Sequence, residues 1–305
     1  MLKNTVKSAQ IRNNSIHEEN QYLNLIDDIM THGFEEEGRN GKTKAVFGSA
    51  MHFSLEDNKV PLLTTKKVAW KTCFKELMWF ISGSTDNRKL VSENVKIWNG
   101  NASRDFLDSR GLNHLEENDL GPVYGHQWRH FNAEYKTFND NYQNKGIDQL
   151  KNIIDCLNNV KTRTSRRMVL SAWNPCQLNE MALPPCHILC QFNVFDNNKL
   201  SCSMYQRSGD VGLGVPFNIA SYSFLTHLIA HHCQLQAHEF IYYLGNAHIY
   251  DDHYNPLKIQ STREPLDFPT IKIINKHDKI EDYSLDDIIL DNYTFHPKIV
   301  MDMRK

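Results

Sequence analysis

Long apolar segments are missing from this 305-residue sequence, and so is a strong excess of one charge. No run reaches the roughly 18 apolar residues of a transmembrane helix, so no membrane span is expected. The first 20 residues are polar and lack the apolar core of a signal peptide. The formal net charge of −2 argues against a general nucleic-acid-binding protein, which normally has a basic excess. Any anionic ligand must therefore be bound by a local cluster of arginines.

Cysteine occurs seven times, an odd number that does not suit a disulfide framework. Together with the missing signal peptide, this favours reduced thiols and a cytoplasmic protein. Cys186 and Cys190 form a C-x-x-x-C pair that could suggest zinc, with His231, His232 and Cys233 as further ligands. Adjacent residues on a helix diverge, however, so these three cannot face one ion, and no metal site is predicted.

The spacing of apolar residues predicts a single mixed α/β domain without repeats, linkers or low-complexity blocks. We expect a flexible leader over residues 1–18 and one domain over residues 19–305. Helices are predicted over residues 19–31, 70–81, 147–160 and 218–236. Strands are predicted over residues 45–55, 167–173, 187–195, 200–206, 240–244 and 270–274, with a hairpin turn at residues 196–198. Residues 100–146 are predicted to form a long loop, and residues 292–305 an extended tail.

Two prolines precede a cysteine in the segment Pro184-Pro185-Cys186-His187. Proline fixes the backbone, which is useful where a sulfur must be aimed at a substrate. An average cysteine is more often a buried structural residue, so a nucleophile needs a nearby positive charge that favours thiolate over thiol. Arg207 directly follows the strand predicted over residues 200–206. Pairing of that strand with the one that Cys186 opens would bring Arg207 close to Cys186.

The end of that strand is unusually polar, with the sequence Gln206-Arg207-Ser208-Gly209-Asp210. A guanidinium, a hydroxyl and a backbone that can turn sharply at glycine suit a bound phosphate. The glycines at residues 212 and 214 are spaced too loosely for a nucleotide-binding fingerprint, which needs a strand, a turn and a helix. The phosphate hypothesis therefore depends on the side chains.

Five further polar residues each allow a structural and a functional interpretation. Arg166 and Arg167 are adjacent at a predicted strand start, so one could serve its own subunit and the other a neighbour, or both form a solvated end. Asn218 opens the predicted long helix, either as its N-cap or as an amide that offers a donor and an acceptor to a base edge. His248 and Tyr250 share one strand face, which could bind sugar hydroxyls or be an ordinary polar strand.

Several longer motifs occur in a recognisable order. They are Pro-Leu-Leu-Thr-Thr-Lys-Lys at residues 61–67, Glu-Leu-Met-Trp-Phe at 76–80, Gly-Pro-Val-Tyr-Gly at 121–125, Met-Ala-Leu-Pro-Pro-Cys-His at 181–187 and the run 205–222. Together they resemble the thymidylate synthase family, from about residue 19 to residue 303. The insert at residues 103–108 resembles the eukaryotic branch and its viral relatives. The resemblance implies a large mixed, mainly antiparallel sheet flanked by helices and packed on a dimer mate.

The resemblance implies reductive methylation of dUMP to dTMP, with 5,10-methylenetetrahydrofolate as one-carbon donor and reductant and no metal. Addition of a thiolate to C6 turns the uracil ring into an enolate that reacts at C5. By resemblance, Cys186 is that nucleophile, Tyr124 acts with water in removing the C5 proton, and Glu76 shuttles protons. Burial in its apolar helix would raise the pKa of Glu76 as a proton shuttle requires, although a carboxylate at the polar edge of the helix is the alternative.

The resemblance also implies the residues that bind each substrate. Asp210 and Asn218 join the three residues above as catalytic, and Arg166 and Arg167 reach the phosphate from the other subunit of a homodimer. The other dUMP-binding residues are Arg39, His187, Gln206, Arg207, Ser208, Gly209, His248 and Tyr250, with Asp210 and Asn218 again included. The folate-binding residues are Ile97, Trp98, Asp210, Leu213, Gly214, Phe217, Met303 and Arg304.

Four places depart from the family pattern. The loop at residues 39–44 is one residue short, so Lys42 could share the phosphate with Arg39. The chain ends in two charged residues where an apolar tail is usual, which could weaken water exclusion during hydride transfer. Ala69 stands where an aromatic residue is common near the folate, and asparagines at residues 99 and 101 are expected only to tune the site.

Three alternative functions have to be compared with this one. A pyrimidine hydroxymethylase would add water instead of hydride, although a cytosine-specific relative would need a carboxylate at Asn218. A non-catalytic RNA-binding protein of the same fold would not need Cys186, Tyr124 and the arginine set. A cysteine hydrolase pairing Cys186 with His248 leaves the arginines unexplained.

Overall fold

The computed structural model of the chain describes residues 17–38 and 41–304. Most of the predicted leader, the predicted phosphate ligand Arg39, and Lys305 therefore lie outside the described residues. Within these ranges the helices are α1 (Asn20–His32), α2 (Trp70–Ile81), α3 (Asn87–Ser92), α4 (Asn99–Ala102), α5 (Arg104–Ser109), α6 (Tyr124–His130), α7 (Gln149–Asn158), α8 (Gly214–His232) and α9 (Tyr254–Ser261). The strands are β1 (Phe34–Gly38), β2 (Gly41–Ser54), β3 (Val169–Ser171), β4 (His187–Phe195), β5 (Lys199–Asp210), β6 (Gln236–Tyr250), β7 (Thr270–Ile273) and β8 (Ile288–Asp291).

In the described part of the chain, a six-stranded sheet with the strand order β1-β2-β6-β5-β4-β3 forms the centre of the fold. The β5–β6 pair is parallel and its strands are connected by α8, because parallel neighbours need a crossover. The other four neighbouring pairs are antiparallel. Strands β7 and β8 pair separately. The predicted α/β class with a mixed, mainly antiparallel sheet and flanking helices is thus confirmed.

The two faces of the main sheet differ in burial. On one face Met51, Tyr242, Met204 and Cys190 form a buried row across β2, β6, β5 and β4. Helix α8 covers this side and lies between the sheet and α2, which explains why α8 is apolar on nearly all of its faces. The neighbouring row of residues points away from these helices and is more exposed. The core therefore lies between one sheet face and the helices.

Several elements have the predicted bounds. Helix α2 and strand β4 begin and end where the apolar patterns predict them. The predicted turn between β4 and β5 has Asp196 and Asn197 at φ of 47° and 63°. Such left-handed conformations are tolerated by aspartate and asparagine and match the twist of a hairpin. Residues 292–304, predicted as an extended tail, form no helix or strand, and Asn292 at their start has a left-handed φ of 60°.

Other predictions were wrong. Residues 100–146 are not a continuous loop, because α5, α6 and part of α4 lie within them. These helices have four to seven residues, too few for a clear periodicity, and depend on tertiary contacts. Helix α8 begins at Gly214 with Leu213 as its N-cap, so Asn218 lies inside the helix and is not its N-cap. Strand β5 continues through Gly209 to Asp210 instead of turning there.

Candidate active site

Cys186 lies directly before β4, and its side chain is half-buried beside Arg207 of β5. Nη2 of Arg207 is 3.8 Å from Sγ of Cys186. The guanidinium also donates to the carbonyl of Pro185 at 2.8 Å and to that of Pro184 at 3.1 Å. The two rigid prolines thus provide acceptors that hold the positive charge next to the sulfur. The predicted proximity of Arg207 to Cys186 is observed.

Tyr124 connects the cysteine to an aromatic wall. Its hydroxyl accepts a hydrogen bond of 2.7 Å from the backbone N–H of Cys186, and its ring stacks on His187 with centroids 4.0 Å apart. Burial raises the pKa of Tyr124 well above its usual value, so the phenol keeps its proton at neutral pH. Burial lowers the pKa of His187 to about 3, so its ring is neutral and forms a 2.7 Å hydrogen bond with the hydroxyl of Tyr222.

Glu76, in α2, lies near the same group of aromatic side chains, through its contact with Trp98. It is buried, and among the described residues its one hydrogen-bond donor is Nε1 of Trp98, at 2.7 Å. Burial raises the pKa of Glu76 to about 7, although the Trp98 bond acts in the opposite direction. The ring of Trp98 lies 6.2 Å from that of Tyr124. The alternative in which Glu76 occupies the polar edge of its helix is therefore wrong, and the carboxyl can hold or release a proton near neutral pH.

The polar end of β5 lies against β4 on one side and β6 on the other. Gln206 pairs with His187 in the β4–β5 register, and its side chain accepts from the Tyr242 hydroxyl at 2.7 Å while donating to the carbonyl of Ser208 at 2.9 Å. Both atoms of this amide are thus fixed. Gly209 lies beyond these residues, packed against the side chains of β6 and α8.

Asp210 ends β5 and pairs with His248 in the β5–β6 register. Nδ1 of His248 is 2.9 Å from the side-chain oxygen of Asn246, and its ring is 5.3 Å from that of Tyr250. Burial lowers the pKa of His248, with Asp210 opposing the shift. His248, with the ring of Tyr250 next to it as predicted, therefore lies beside Asp210.

The start of α8 brings further predicted residues to the same place. A Cβ added to Gly214 would lie 3.8 Å from the Cβ of Asp210 and 3.9 Å from Oδ1 of Asn218. Asp210 and Asn218 therefore converge on the first turn of the helix. Phe217 is half-buried there, and Ile97 and Leu213 are also half-buried. Leu213 and Phe217 therefore provide apolar surface next to a carboxylate and an amide at the start of α8.

Four predicted site residues are exposed, and two of them lie far from Cys186 of the same chain. Arg166 and Arg167 are exposed and precede the edge strand β3, whose residue Val169 pairs with Gln191 in the antiparallel register. They lie opposite the far end of β4, roughly 20 Å from Cys186 at the spacing of extended strands. Arg304 is exposed and is paired with two aspartates after β6. The side chain of Met303 is also exposed.

Three residues that the sequence analysis did not select surround the turn after Asp210. Lys66 is buried and donates to the carbonyl of Gly212, and burial lowers its pKa to about 8 against the effect of Asp210. The hydroxyl of Tyr22 donates to the carbonyl of Val211 at 2.8 Å, and the buried His253 faces Asp210. Its position directly after two threonines in the 61–67 motif was the available signal for Lys66. The histidine had none beyond its position after two aspartates.

The described ranges, 17–38 and 41–304, contain neither a membrane-spanning helix nor a cluster of metal ligands. No helix there has the length and apolar composition that crossing a bilayer requires. No group of three or more histidine, cysteine, aspartate or glutamate side chains in that part of the chain converges on a point where an ion could bind.

The fold and the site define a class, an α/β protein in which a cysteine beside a guanidinium is linked through Tyr124 and Trp98 to a buried carboxyl. A sequence model of the family described as thymidylate synthase matches residues 20–305. The chain is 53% identical over 289 residues to thymidylate synthase of Homo sapiens, covering 94% of this chain and 91% of that protein. It is 50% identical over 288 residues to thymidylate synthase of equine herpesvirus 2, covering 94% and 98%. The chain therefore belongs to the thymidylate synthase family, whose members are methyltransferases.

Similarity also extends to longer proteins. The bifunctional dihydrofolate reductase-thymidylate synthase of Plasmodium berghei is 55% identical over 288 residues, which are 94% of this chain and 48% of that protein. The chain thus spans about half the length of such bifunctional relatives. Identity to the human and herpesviral proteins agrees with the eukaryotic and viral branch expected from the sequence.

Proposed function

We propose that this chain converts dUMP to dTMP, with 5,10-methylenetetrahydrofolate as co-substrate and dihydrofolate as second product. The observation that carries the proposal is the Arg207 guanidinium, held 3.8 Å from the half-buried sulfur of Cys186. A positive charge at this distance favours the thiolate, which is the reactive form of the side chain. The thiolate adds to C6 of the uracil ring, and C5 becomes nucleophilic.

The polar residues at the strand ends are suited to bind dUMP. The guanidinium of Arg207 and the hydroxyl of Ser208 bind the phosphate, together with Arg39, while Gly209 keeps the backbone free of a side chain. Asn218 offers one donor and one acceptor to the base edge, which fits O4 and N3–H of uracil. His248 and Tyr250 bind the deoxyribose hydroxyl. The neutral His187 and the fixed amide of Gln206 form the remaining part of the dUMP-binding surface.

Proton transfer is assigned to the apolar side of the cleft. The hydroxyl of Tyr124 contacts the backbone of Cys186. A water molecule bound to that hydroxyl would therefore lie beside C5 of the uracil ring, next to the C6 atom that the sulfur attacks. Glu76, with a pKa of about 7, is divided between its two protonation states at neutral pH. It can therefore supply a proton towards O4 and take it back, which is the property a proton shuttle needs.

The residues around Asp210 fit a folate. Its pterin is a flat ring with N–H donors, and the structure has a carboxylate beside half-buried apolar side chains at the start of α8. Asp210 would accept from the pterin, with Leu213, Gly214 and Phe217 on one side and Ile97 and Trp98 on the other. Bound folate supplies the one-carbon unit and the hydride. Trp98 and Ile97 exclude water from the reacting carbon, and Met303 and Arg304 are the C-terminal part of this site.

We also propose a cytoplasmic homodimer with one catalytic domain per chain. Leu189, Tyr205 and Tyr243 form a row across β4, β5 and β6 on the sheet face away from the helices, and 43% of the Tyr243 surface is exposed. A second copy packed on this face would bury the row and would complete the site with its own Arg166 and Arg167. That accounts for two exposed arginines that lie far from Cys186 of their own chain. We expect no membrane binding and no general nucleic-acid binding by this dimer.

The test is tritium release from [5-³H]dUMP, measured alongside dihydrofolate formation. Purified protein should release tritium only with methylenetetrahydrofolate present, and Cys186→Ser should lower the rate by at least about 10³-fold. Cys176→Ser is the matched control, because Cys176 is an exposed thiol outside the cleft, and it should retain full activity. Release of tritium without dihydrofolate would favour hydroxymethylation. Absence of release would favour a non-catalytic protein of this fold.

A further inference from the structure

The guanidinium of Arg207 is held in place without a carboxylate partner in the described part of the chain. Its Nε and Nη2 donate instead to the carbonyls of Pro185 and Pro184. Arg129 and Arg304, by contrast, each pair with two carboxylates. A carboxylate beside Arg207 would cancel the positive charge next to the sulfur and would occupy donors that a phosphate needs. Some other group must therefore hold the guanidinium against the site.

That group is the indole of Trp173. Cζ of Arg207 lies over this ring, 5.7 Å from the ring centroid. The distance is within the range of about 6 Å in which a cation is attracted to an aromatic face, an attraction that is strongest for tryptophan. An aromatic face accepts none of the guanidinium N–H groups in its plane and does not cancel its charge. The ring can therefore hold the cation and leave its remaining donors to an anion.

Trp173 follows β3, and its backbone is fixed against the start of β4. The N–H of Ala172 donates to the carbonyl of Ile188 at 2.8 Å. The N–H of Trp173 donates to the hydroxyl of Ser171 at 3.2 Å, and the side chain itself is half-buried. The connection from β3 to β4 thus holds the guanidinium at both of its ends, with the indole near its start and the two proline carbonyls directly before the cysteine.

We propose that Trp173 is a positioning residue that holds the Arg207 guanidinium between the sulfur of Cys186 and the phosphate of the substrate. The inference rests on the proposed function, because the anion concerned is the phosphate of dUMP. One contact then serves two purposes, since the positive charge favours the thiolate and the planar fork stays aimed at the phosphate. Without the indole face the long side chain regains rotamer freedom, and both effects become weaker.

Two substitutions of Trp173 grade the interaction. Trp173→Leu keeps an apolar side chain but has no aromatic face, whereas Trp173→Phe retains a weaker one. The phenylalanine variant also serves alone if the leucine variant folds poorly. Trp70→Leu is the matched control, because Trp70 is also half-buried and Nζ of Lys71 lies over its ring at the same 5.7 Å. The control thus removes a tryptophan and a cation–π contact that does not involve Arg207.

The first measurement is the pH dependence of Cys186 alkylation by iodoacetamide, followed by mass spectrometry in the ligand-free protein. Trp173→Leu should move the midpoint upward by about half a pH unit, because the guanidinium favours the thiolate less. The second is the dissociation constant for dUMP, together with the inhibition constant of inorganic phosphate as its competitor. Both constants should rise at least about 3-fold, in the range of cation–π interactions. Trp173→Phe should lie between, and Trp70→Leu should coincide with wild type.

Arg207→Gln tests whether Trp173 acts through the guanidinium. In this background Trp173→Leu should change neither the alkylation midpoint nor phosphate binding any further, because the partner of the ring is already gone. A purely structural tryptophan would lower the stability in both backgrounds and leave the midpoint unchanged. A wild-type midpoint and wild-type affinities in Trp173→Leu, or an equal shift in the Arg207→Gln background, would overturn the proposal. Failure of the proposed function is a separate outcome, because it would appear as absent tritium release from wild-type protein.

Discussion

Glu19 and Glu76 are both buried glutamates, but the regions around them are built differently. Glu19, next to the start of α1, accepts four hydrogen bonds of 2.6–2.8 Å from the backbone N–H and hydroxyl groups of Thr64 and Thr65. Within the part of the chain that the structure describes, Glu76 accepts one, from Trp98, and it lies in an apolar helix. A carboxylate with four donors ties one segment of the chain to another. A carboxyl with a single donor in an apolar region can exchange its proton near neutral pH.

The largest expected effect concerns the reaction rate and Glu76. Glu76→Gln retains the acceptor for Trp98 but cannot carry a proton between O4 and the solvent. We expect the kcat for dihydrofolate formation to fall about 10²–10⁴-fold, the usual contribution of general acid–base catalysis. The dissociation constant for dUMP should change little. A variant with more than half of the wild-type kcat would remove Glu76 from proton transfer.

The next effect concerns stability and pH. The pKa of Glu76 is raised from 4.5 to about 7 in the folded protein, so between these values the folded state binds more protons than the unfolded state. The stabilisation is fully present below pH 4.5 and is lost as the pH rises through 7, amounting to about 3 kcal/mol at about 1.4 kcal/mol per pKa unit. Urea unfolding of Glu76→Gln should lack this loss. Parallel pH curves for the two proteins would contradict the raised pKa.

Glu19 should give the opposite pattern. In Glu19→Gln one oxygen becomes an NH₂ group that faces an N–H and a hydroxyl, so two hydrogen bonds are lost and donors are left unpaired. We expect a loss of about 2–4 kcal/mol in the free energy of unfolding, with kcat per folded molecule within about twofold of wild type. Glu56→Gln is the control, because Glu56 is an exposed partner of Lys199 and should cost at most about 1 kcal/mol. If Glu19→Gln lowered kcat without lowering the free energy of unfolding, Glu19 would act like Glu76 and the proposed contrast between the two glutamates would be wrong.

The sequence predicted one of these glutamates and not the other, for physical reasons. Glu76 lies in a long apolar helix within a recognisable motif, so its burial could be predicted. Glu19 precedes an amphipathic helix, and its partners lie 45 and 46 residues away, a contact that local patterns do not contain. The same limit applies to Asn218, since the start of α8 depends on tertiary packing and not on a local cap. Lys66 and His253 reach the turn after Asp210 only through the fold, which no local pattern in the sequence shows.

The smallest effect tests the single hydrogen bond of Glu76. Trp98→Phe keeps an aromatic ring against Tyr124 but removes the Nε1–H donor, and this bond lowers the pKa of Glu76 in the wild-type protein. A hydrogen bond to a charged group contributes about 1.5 kcal/mol, so its loss should move the midpoint of the Glu76-dependent pH profile upward by about one unit. The profile of kcat against pH reports this group in the substrate complex. Trp79→Phe is a suitable control, because the Nε1–H of Trp79 donates instead to the carbonyl of Asp86 and should leave the midpoint unchanged. A Trp98→Phe profile that coincides with wild type would mean that the apolar surroundings alone set the pKa of Glu76, and that its contrast with the equally buried Glu19 lies in those surroundings and not in the number of donors.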